Sequence, residues 1–277
     1  YCENNSNPVF ENVIIHNNTS SNGGGAYFEA TNAVFRNVLL ENNNVAVSGG
    51  GVVVNDGSLD IVNSTIVKNS AETDEGNGMT SNQSEVNITN TIFWNSESNE
   101  ISFESGSISI IYSNIQGGWE GDNNISWDPL FIDYENGDYH LTENSPCIGA
   151  GINSDIPLTD LDGNARPYPE GSEPDMGAYE NELANPTVDN YYGSIWYISP
   201  DGSDQLGNGS EQYPFENIQT GIDSASSGDT IVVYPGIFFE NLTIDHNIYL
   251  LGAGSEGTFL LPEEDNDNPL VSIDDIC

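Results

Sequence analysis

The sequence predicts an all-β chain folded as a right-handed parallel β-helix, a solenoid of short stacked coils, and three observations predict it. Four segments repeat at a nearly constant period, and each repeat carries a glycine block or its remnant followed by an apolar run. The apolar residues alternate or run continuously through β-branched stretches, without the i, i+3, i+4 spacing of helical repeats.

The repeats are Phe10-Glu-Asn-Val-Ile-Ile-His-Asn17, Phe35-Arg-Asn-Val-Leu-Leu-Glu-Asn42, Val62-Asn-Ser-Thr-Ile-Val-Lys-Asn69 and Ile88-Thr-Asn-Thr-Ile-Phe-Trp-Asn95, whose closing residues are 25, 27 and 26 apart. The glycine blocks are Gly23-Gly24-Gly25, Gly49-Gly50-Gly51 and the degraded Gly76-Asn77-Gly78. A unit this short cannot bury an apolar face alone, so successive units must stack, at about 4.8 Å per coil, with aliphatic columns inside. Asn12, Asn37, Ser64 and Asn90, with Asn17, Asn42, Asn69 and Asn95, are expected at the bends. Asparagine tolerates left-handed backbone there, and its amide can bond to the same amide one coil away.

These repeats resemble those of the pectin-lyase-like β-helix superfamily, in particular large bacterial surface and secreted proteins, over roughly Tyr1 to Ser126. From Trp127 the period is lost. Ser145-Pro-Cys-Ile-Gly-Ala-Gly151, Asp160-Leu-Asp-Gly-Asn-Ala-Arg-Pro167 and Asp175-Met-Gly-Ala-Tyr-Glu180 resemble the terminal segment of bacterial β-helix proteins of the choice-of-anchor type. The resemblance implies a structure that closes the solenoid, and a Pro- and Gly-punctuated layer suits the covering of open strand edges. Arg166 is expected to pair with Asp162 or Asp175.

A polar stretch with Pro186 then reads as a linker, and a new opening follows. Ile218, Gly221, Ile222 and Ala225 have the spacing of a short amphipathic helix that would plug a first coil, with strand-like runs Thr230-Ile-Val-Val-Tyr234, Leu242-Thr-Ile244 and Ile248-Tyr-Leu-Leu251 after it. The expected organisation is 1–182 as the closing part of one β-helix unit with its cap, 183–194 as a linker, and 195–277 as the opening part of a following unit. Such an order suggests tandem units or subunits joined head to tail.

Composition narrows the function. Lys and Arg number 3 against 44 Asp and Glu, a formal charge of -41 in 277 residues. Such a surface repels nucleic acid and anionic lipid, and it favours a saline or calcium-containing exterior. Hydrophobic content of 36% argues against a disordered acidic chain. Cys2, Cys147 and Cys277 are too few and too scattered for a disulfide framework, and free thiols are expected. No run approaches a membrane span, and the chain opens on Tyr1-Cys2 without a leader, so any export signal is expected elsewhere.

Chemistry is thin. A lyase on this fold needs a basic residue beside a uronate, and Arg36, Lys68 and Arg166 fall in no shared motif. Adjacent acids such as Asp274-Asp275 or Glu263-Glu264-Asp265 arise by chance in so acidic a chain, and His16, His140 and His246 have no metal-ligand spacing. Calcium is the stronger chemical expectation. Asp160, Asp162 and Asn164 alternate oxygen donors around Gly163, like the first half of an EF-type loop, with Asp201 to Asp204 and Glu263 to Asn268 as weaker candidates. The reading is a secreted, non-catalytic structural or adhesive protein of a bacterial surface, self-associating or stacked on adjacent units. The alternative is a carbohydrate-binding or carbohydrate-cleaving module using Trp94, Trp119 and Trp127.

Overall fold

The computed structural model describes residues 1–3, 6–72, 76–95, 99–187, 194–254, 257–262 and 269–273. The chain is a parallel β-solenoid of about nine turns, with a single short helix among the described residues. It divides into two compact units, Tyr1–Thr187 and Val188–Cys277.

In unit 1 the repeats stack in register. Phe10, Phe35, Ile61, Ile88 and Ile110 form one inward column, and Ile15, Leu40, Ile66, Phe93 and Ile115 another. A third wall, Ala26–Glu29, Val52–Asn55, Met79–Asn82 and Ile101–Phe103, closes the coil. Phe28, Val54, Ile61, Met79 and Phe93 meet in the resulting core.

The corners are sharp because the backbone turns through left-handed conformations. Asn12, Asn37, Asn63 and Asn90 have φ of 56°, 50°, 46° and 51°. Ser64, expected at this bend, lies one residue past it and forms a different ladder: its Oγ accepts the Val38 N–H at 3.1 Å and donates to the Val62 carbonyl at 3.0 Å. Thr91 and Ser113 repeat that pattern. The glycine blocks answer to close approach. A Cβ on Gly24 would sit 2.3 Å from the Gly50 carbonyl oxygen, and one on Gly50 would sit 2.4 Å from that of Asn77.

The expected amides bond across the coils at Asn42 with Asn17 and at Asn69 with Asn95, but the register differs between Asn42 and Asn69. Asn17 and Asn42 are left-handed bend residues, whereas Asn69 and Asn95 stack one position later, with Asn18 and Asn43. Asn18 Nδ2 donates to Asn43 Oδ1, Asn43 Nδ2 to Asn69 Oδ1, and Asn69 Nδ2 to Asn95 Oδ1, each at 2.9 Å. Each accepting Oδ1 also takes the backbone N–H of the preceding rung. Glu100 ends the series, its carboxylate accepting both the N–H and the Nδ2 of Asn95.

Residues 117–126 close the last coil of unit 1. Asn114 pairs with Ile125, Asn124 Oδ1 accepts the Ser113 N–H at 3.0 Å, and Trp119 packs on the core.

Unit 2 begins with parallel strands Ile195–Ile198, Thr230–Val233 and Tyr249–Gly252, joined by the pairs Gly236–Phe239 with Thr258–Leu261 and Leu242–Ile244 with Val271–Ile273. The helix Ile218–Ser224 lays Ile218 and Ile222 on a core that includes Ile198 and Ile231. Glu240 holds its start, accepting the N–H groups of Ile218 and Gln219 at 2.8 and 2.9 Å. Ala225, counted in the helical spacing, is the residue that ends it.

Candidate functional site

The non-repeating segment after Trp127 runs along the flank of unit 1 rather than over its end. The strand runs Val38-Leu39-Leu40, Thr65-Ile66-Val67 and Ile92-Phe93-Trp94 explain why. One face of each run enters the core, and the other would expose Leu39, Val67 and Ile92 to water. Tyr139, Ala178 and Tyr179 cover Leu39 and Val67, while Leu141, Cys147, Ile148 and Met176 cover Ile92. Continuous apolar runs in a sheet mean burial on both faces, and that was the sequence signal for this layer. In the opening coil, outward Ile14 remains 51% exposed.

Polar contacts fix the segment to the coils. Asn90 exchanges two bonds with Ile152, Asn63 Nδ2 donates to the Asp175 carbonyl, Asn37 Nδ2 donates to the Thr159 carbonyl, and the Ala178 N–H donates to Thr65 Oγ1. The bend column found by the repeats is therefore also the docking line of the flank.

All three basic residues of the chain are engaged on this segment. Arg36 grips Asp155 through its carbonyl and its carboxylate. Lys68 reaches the Glu135 carbonyl at 3.1 Å and stands 4.4 Å above the Tyr134 ring. Arg166 is buried, its Nη1 donating to the Gly177 carbonyl at 3.1 Å and its Nε 3.2 Å from Glu180 Oε1. That last approach is a charge contact outside hydrogen-bond geometry.

Arg166 thus faces Glu180, not the expected Asp162 or hydrogen-bonded Asp175. Asp175 is already held, its two oxygens accepting the N–H groups of Gly149 and Asn181 at 2.7 and 2.6 Å, and Asp162 is turned toward His140. Burial, with Glu180 close by, pushes the Asp175 carboxyl up to about 8; burial pushes Glu180 up to about 6 against the pull of Arg166.

The expected calcium ligands come together as a turn. Buried Asp160 accepts the N–H groups of Asp162, Asn164 and Glu180 and the Asn164 amide, which occupies both its oxygens. Asp162 Oδ2 pairs with His140 Nε2 at 2.8 Å, and Asn164 presents its amide nitrogen to Asp160. Among the described residues no group of three His, Cys, Asp or Glu side chains is placed to hold a metal. Asp204 likewise accepts from Glu216 and Asn217, while Glu263 to Asn268 and Asp274-Asp275 lie outside the described residues.

His140 bridges Asp138 at 2.6 Å and Asp162 at 2.8 Å, over the Tyr179 ring. Partial burial lowers its pKa, but the two carboxylates outweigh that and raise it above the ordinary value. Cys147 is a buried free thiol, pushed up to about 12 by burial; Cys2 is free, and Cys277 lies outside the described residues.

Two concavities adjoin the flank. One, about 290 Å³, lies beside Arg36, Asp60, Asn87, Thr89, Ser154 and Asp155. The other, about 200 Å³, is lined by Trp94, Asp128, Leu130, Phe131 and Tyr134. Trp94 also packs against the flank, and Trp119 is committed to the coil end.

No known protein family, curated protein or solved structure matches the chain. Among the described residues no helix is long and apolar enough to cross a membrane.

Proposed function

We propose that this chain is a non-catalytic structural or adhesive β-helix scaffold, secreted to a bacterial surface. The observation that carries this reading is the placement of the cations. In a chain with three basic residues, Arg36, Lys68 and Arg166 all tie the flank segment to the coils or to itself. None is left to abstract a proton or to bind an acidic sugar. The ladders of Asn, Ser and Thr serve the same end, giving each coil neutral, buried partners that stiffen the stack. The likeness of the repeats to pectin-lyase-like surface proteins, and of residues 145–180 to choice-of-anchor segments, supports the extracellular location. Calcium acts in this reading as a counterion for the charge of -41, not as a ligand of the Asp160 turn.

The test is incubation with neutral and uronate polysaccharides, with and without calcium, reading new reducing ends and unsaturated products. No product is expected. Cleavage that is lost on Arg36→Ala would overturn the proposal.

The aromatic concavity favours a second reading, carbohydrate binding. Trp94, Phe131 and Tyr134 offer ring faces beside Asp128, a combination suited to a sugar's apolar face and its hydroxyls. Glycan-array binding abolished by Trp94→Ala, with the fold intact by circular dichroism, would select this reading.

A further inference from the structure

The concavity of about 200 Å³ is walled by three aromatic side chains, a leucine and a carboxylate: Trp94, Phe131, Tyr134, Leu130 and Asp128. Trp94 ends the coil strand Ile92–Trp94 and Phe131 opens the flank strand Phe131–Asp133, so coil and flank each supply a wall. The flank rings are held from behind. Phe131 and Tyr134 lie within 7° of parallel with centroids 6.1 Å apart, and both meet the buried Tyr139 ring in edge geometry, at 5.4 and 6.1 Å.

The surroundings are negative and already draw a cation. The Lys68 ammonium stands 4.4 Å from the centroid of the Tyr134 ring, and its charge is met by Glu135 at 3.5 Å. Burial, then the charges of Glu100, Glu135 and Asp128, push the Tyr134 hydroxyl up to about 12. The same charges favour a positive guest.

We propose that this concavity binds a small quaternary ammonium cation of the choline type, its methyl groups against the rings and its charge toward Asp128. The site goes beyond the scaffold reading and does not depend on it. The lining chooses the class. A sugar suits an aromatic wall, but its hydroxyls need several partners, and the Tyr134 hydroxyl is already spent on the Trp94 carbonyl at 3.3 Å. That leaves Asp128, one of whose oxygens accepts the Leu130 N–H at 2.9 Å. Calcium asks for about six to eight oxygens, and a primary ammonium brings N–H groups that lose water and find one acceptor. A quaternary ammonium has no N–H to satisfy, spreads its charge over methyl groups, and takes ring quadrupoles as partners. The volume of about 200 Å³ is below the roughly 300 to 1,000 Å³ of pockets for drug-sized ligands, which suits a headgroup.

Isothermal titration of the full chain with tetramethylammonium and with choline, at an ionic strength fixed with NaCl, tests this. Both are expected to saturate one site. Choline is expected to bind roughly tenfold more tightly than its neutral tert-butyl analogue, and more tightly than betaine, whose carboxylate meets Asp128. Trp94→Leu keeps an apolar side chain against the flank and is expected to abolish binding, whereas Trp94→Phe retains part of it. Asp128→Asn, at an exposed position where the amide oxygen can still accept the Leu130 N–H, is expected to weaken binding roughly fivefold with an unchanged melting temperature. Equal affinity for the neutral analogue overturns the proposal, as do undiminished binding by Trp94→Leu and the absence of saturable binding by the wild-type chain. Neutral oligosaccharides that bind at Trp94 where tetramethylammonium does not would overturn it and select the sugar. Polysaccharide cleavage by a chain that still binds choline would remove the scaffold reading and leave this site standing.

Discussion

The coils of unit 1 and the segment on their flank are held by opposite means. The coils repeat, so each polar group at a bend meets its own equivalent one coil away, and neutral amides and hydroxyls suffice: Asn43 on Asn69, the Val38 N–H on Ser64. The flank has no equivalent neighbour. Its polar groups meet different partners at each point, and it adds charge pairs, one of them buried, to the neutral contacts of Asn37, Asn63, Thr65 and Asn90. Repetition makes a fold tolerant and modular, whereas an irregular layer concentrates its stability in a few contacts that cannot be replaced by neighbours.

The sharpest way to break this contrast is Arg166→Met. It leaves Glu180 buried without its countercharge, a loss of about 4 kcal/mol. The expected result is rapid proteolysis within residues 145–181 while the coils of unit 1 stay protected, read by mass spectrometry of the fragments. Equal loss of protection throughout unit 1 would mean that flank and coils fold as one.

Asn69→Ala tests the other side. It removes the acceptor of the Asn43 N–H and amide and a donor to the Leu40 carbonyl, all buried, at a cost of about 3 kcal/mol. Hydrogen exchange should quicken in the two adjoining coils and not in the distant ones. An even effect over every coil would contradict the modular picture.

A pH series should act mainly on the flank. Asp175 and Glu180 hold protons in the folded chain at pH values where they would be ionised in the unfolded one, so they withdraw stability as pH rises from about 4 toward about 8. His140, raised in the folded state, gives stability that is complete below its ordinary pKa and lost as pH rises through the raised value. Both effects have one sign. The melting temperature of unit 1 should fall by about 5 °C between pH 5 and pH 8.5, and His140→Gln should flatten part of that slope. A melting temperature that climbs over this interval would refute the assignment.

The smallest effect belongs to Lys68→Ala. Its partner Glu135 is largely in solvent, and the pair is worth at most about 1 kcal/mol. Thermal melts should barely move, which separates the exposed ties from the buried one at Arg166.

Much of the fold was legible from the residues because stacking requires like residues at like positions. The four repeats and the glycine blocks announce parallel coils, and the spacing of Ile218, Gly221 and Ile222 announces the helix. The register of the ladders was harder to read. Asn17 and Asn18, or Asn42 and Asn43, are adjacent amides of the same kind that both bond across the coils, and only the structure shows that the second of each pair, not the left-handed first, continues to Asn69 and Asn95. The Asp160 turn shows a related ambiguity: oxygens that alternate along the chain suit a cation or a set of N–H donors equally, and N–H donors come here from Asp162, Asn164 and Glu180.

The sequence by itself determined that this chain coils, since periodicity and glycine content are local properties that a solenoid repeats. Tertiary structure alone decided where the irregular segment lies. Its contacts join residues more than a hundred positions apart, Arg36 with Asp155 and Thr65 with Ala178, and no period relates them. Which carboxylate Arg166 faces was settled in the same way, by the backbone N–H groups that had already claimed Asp175.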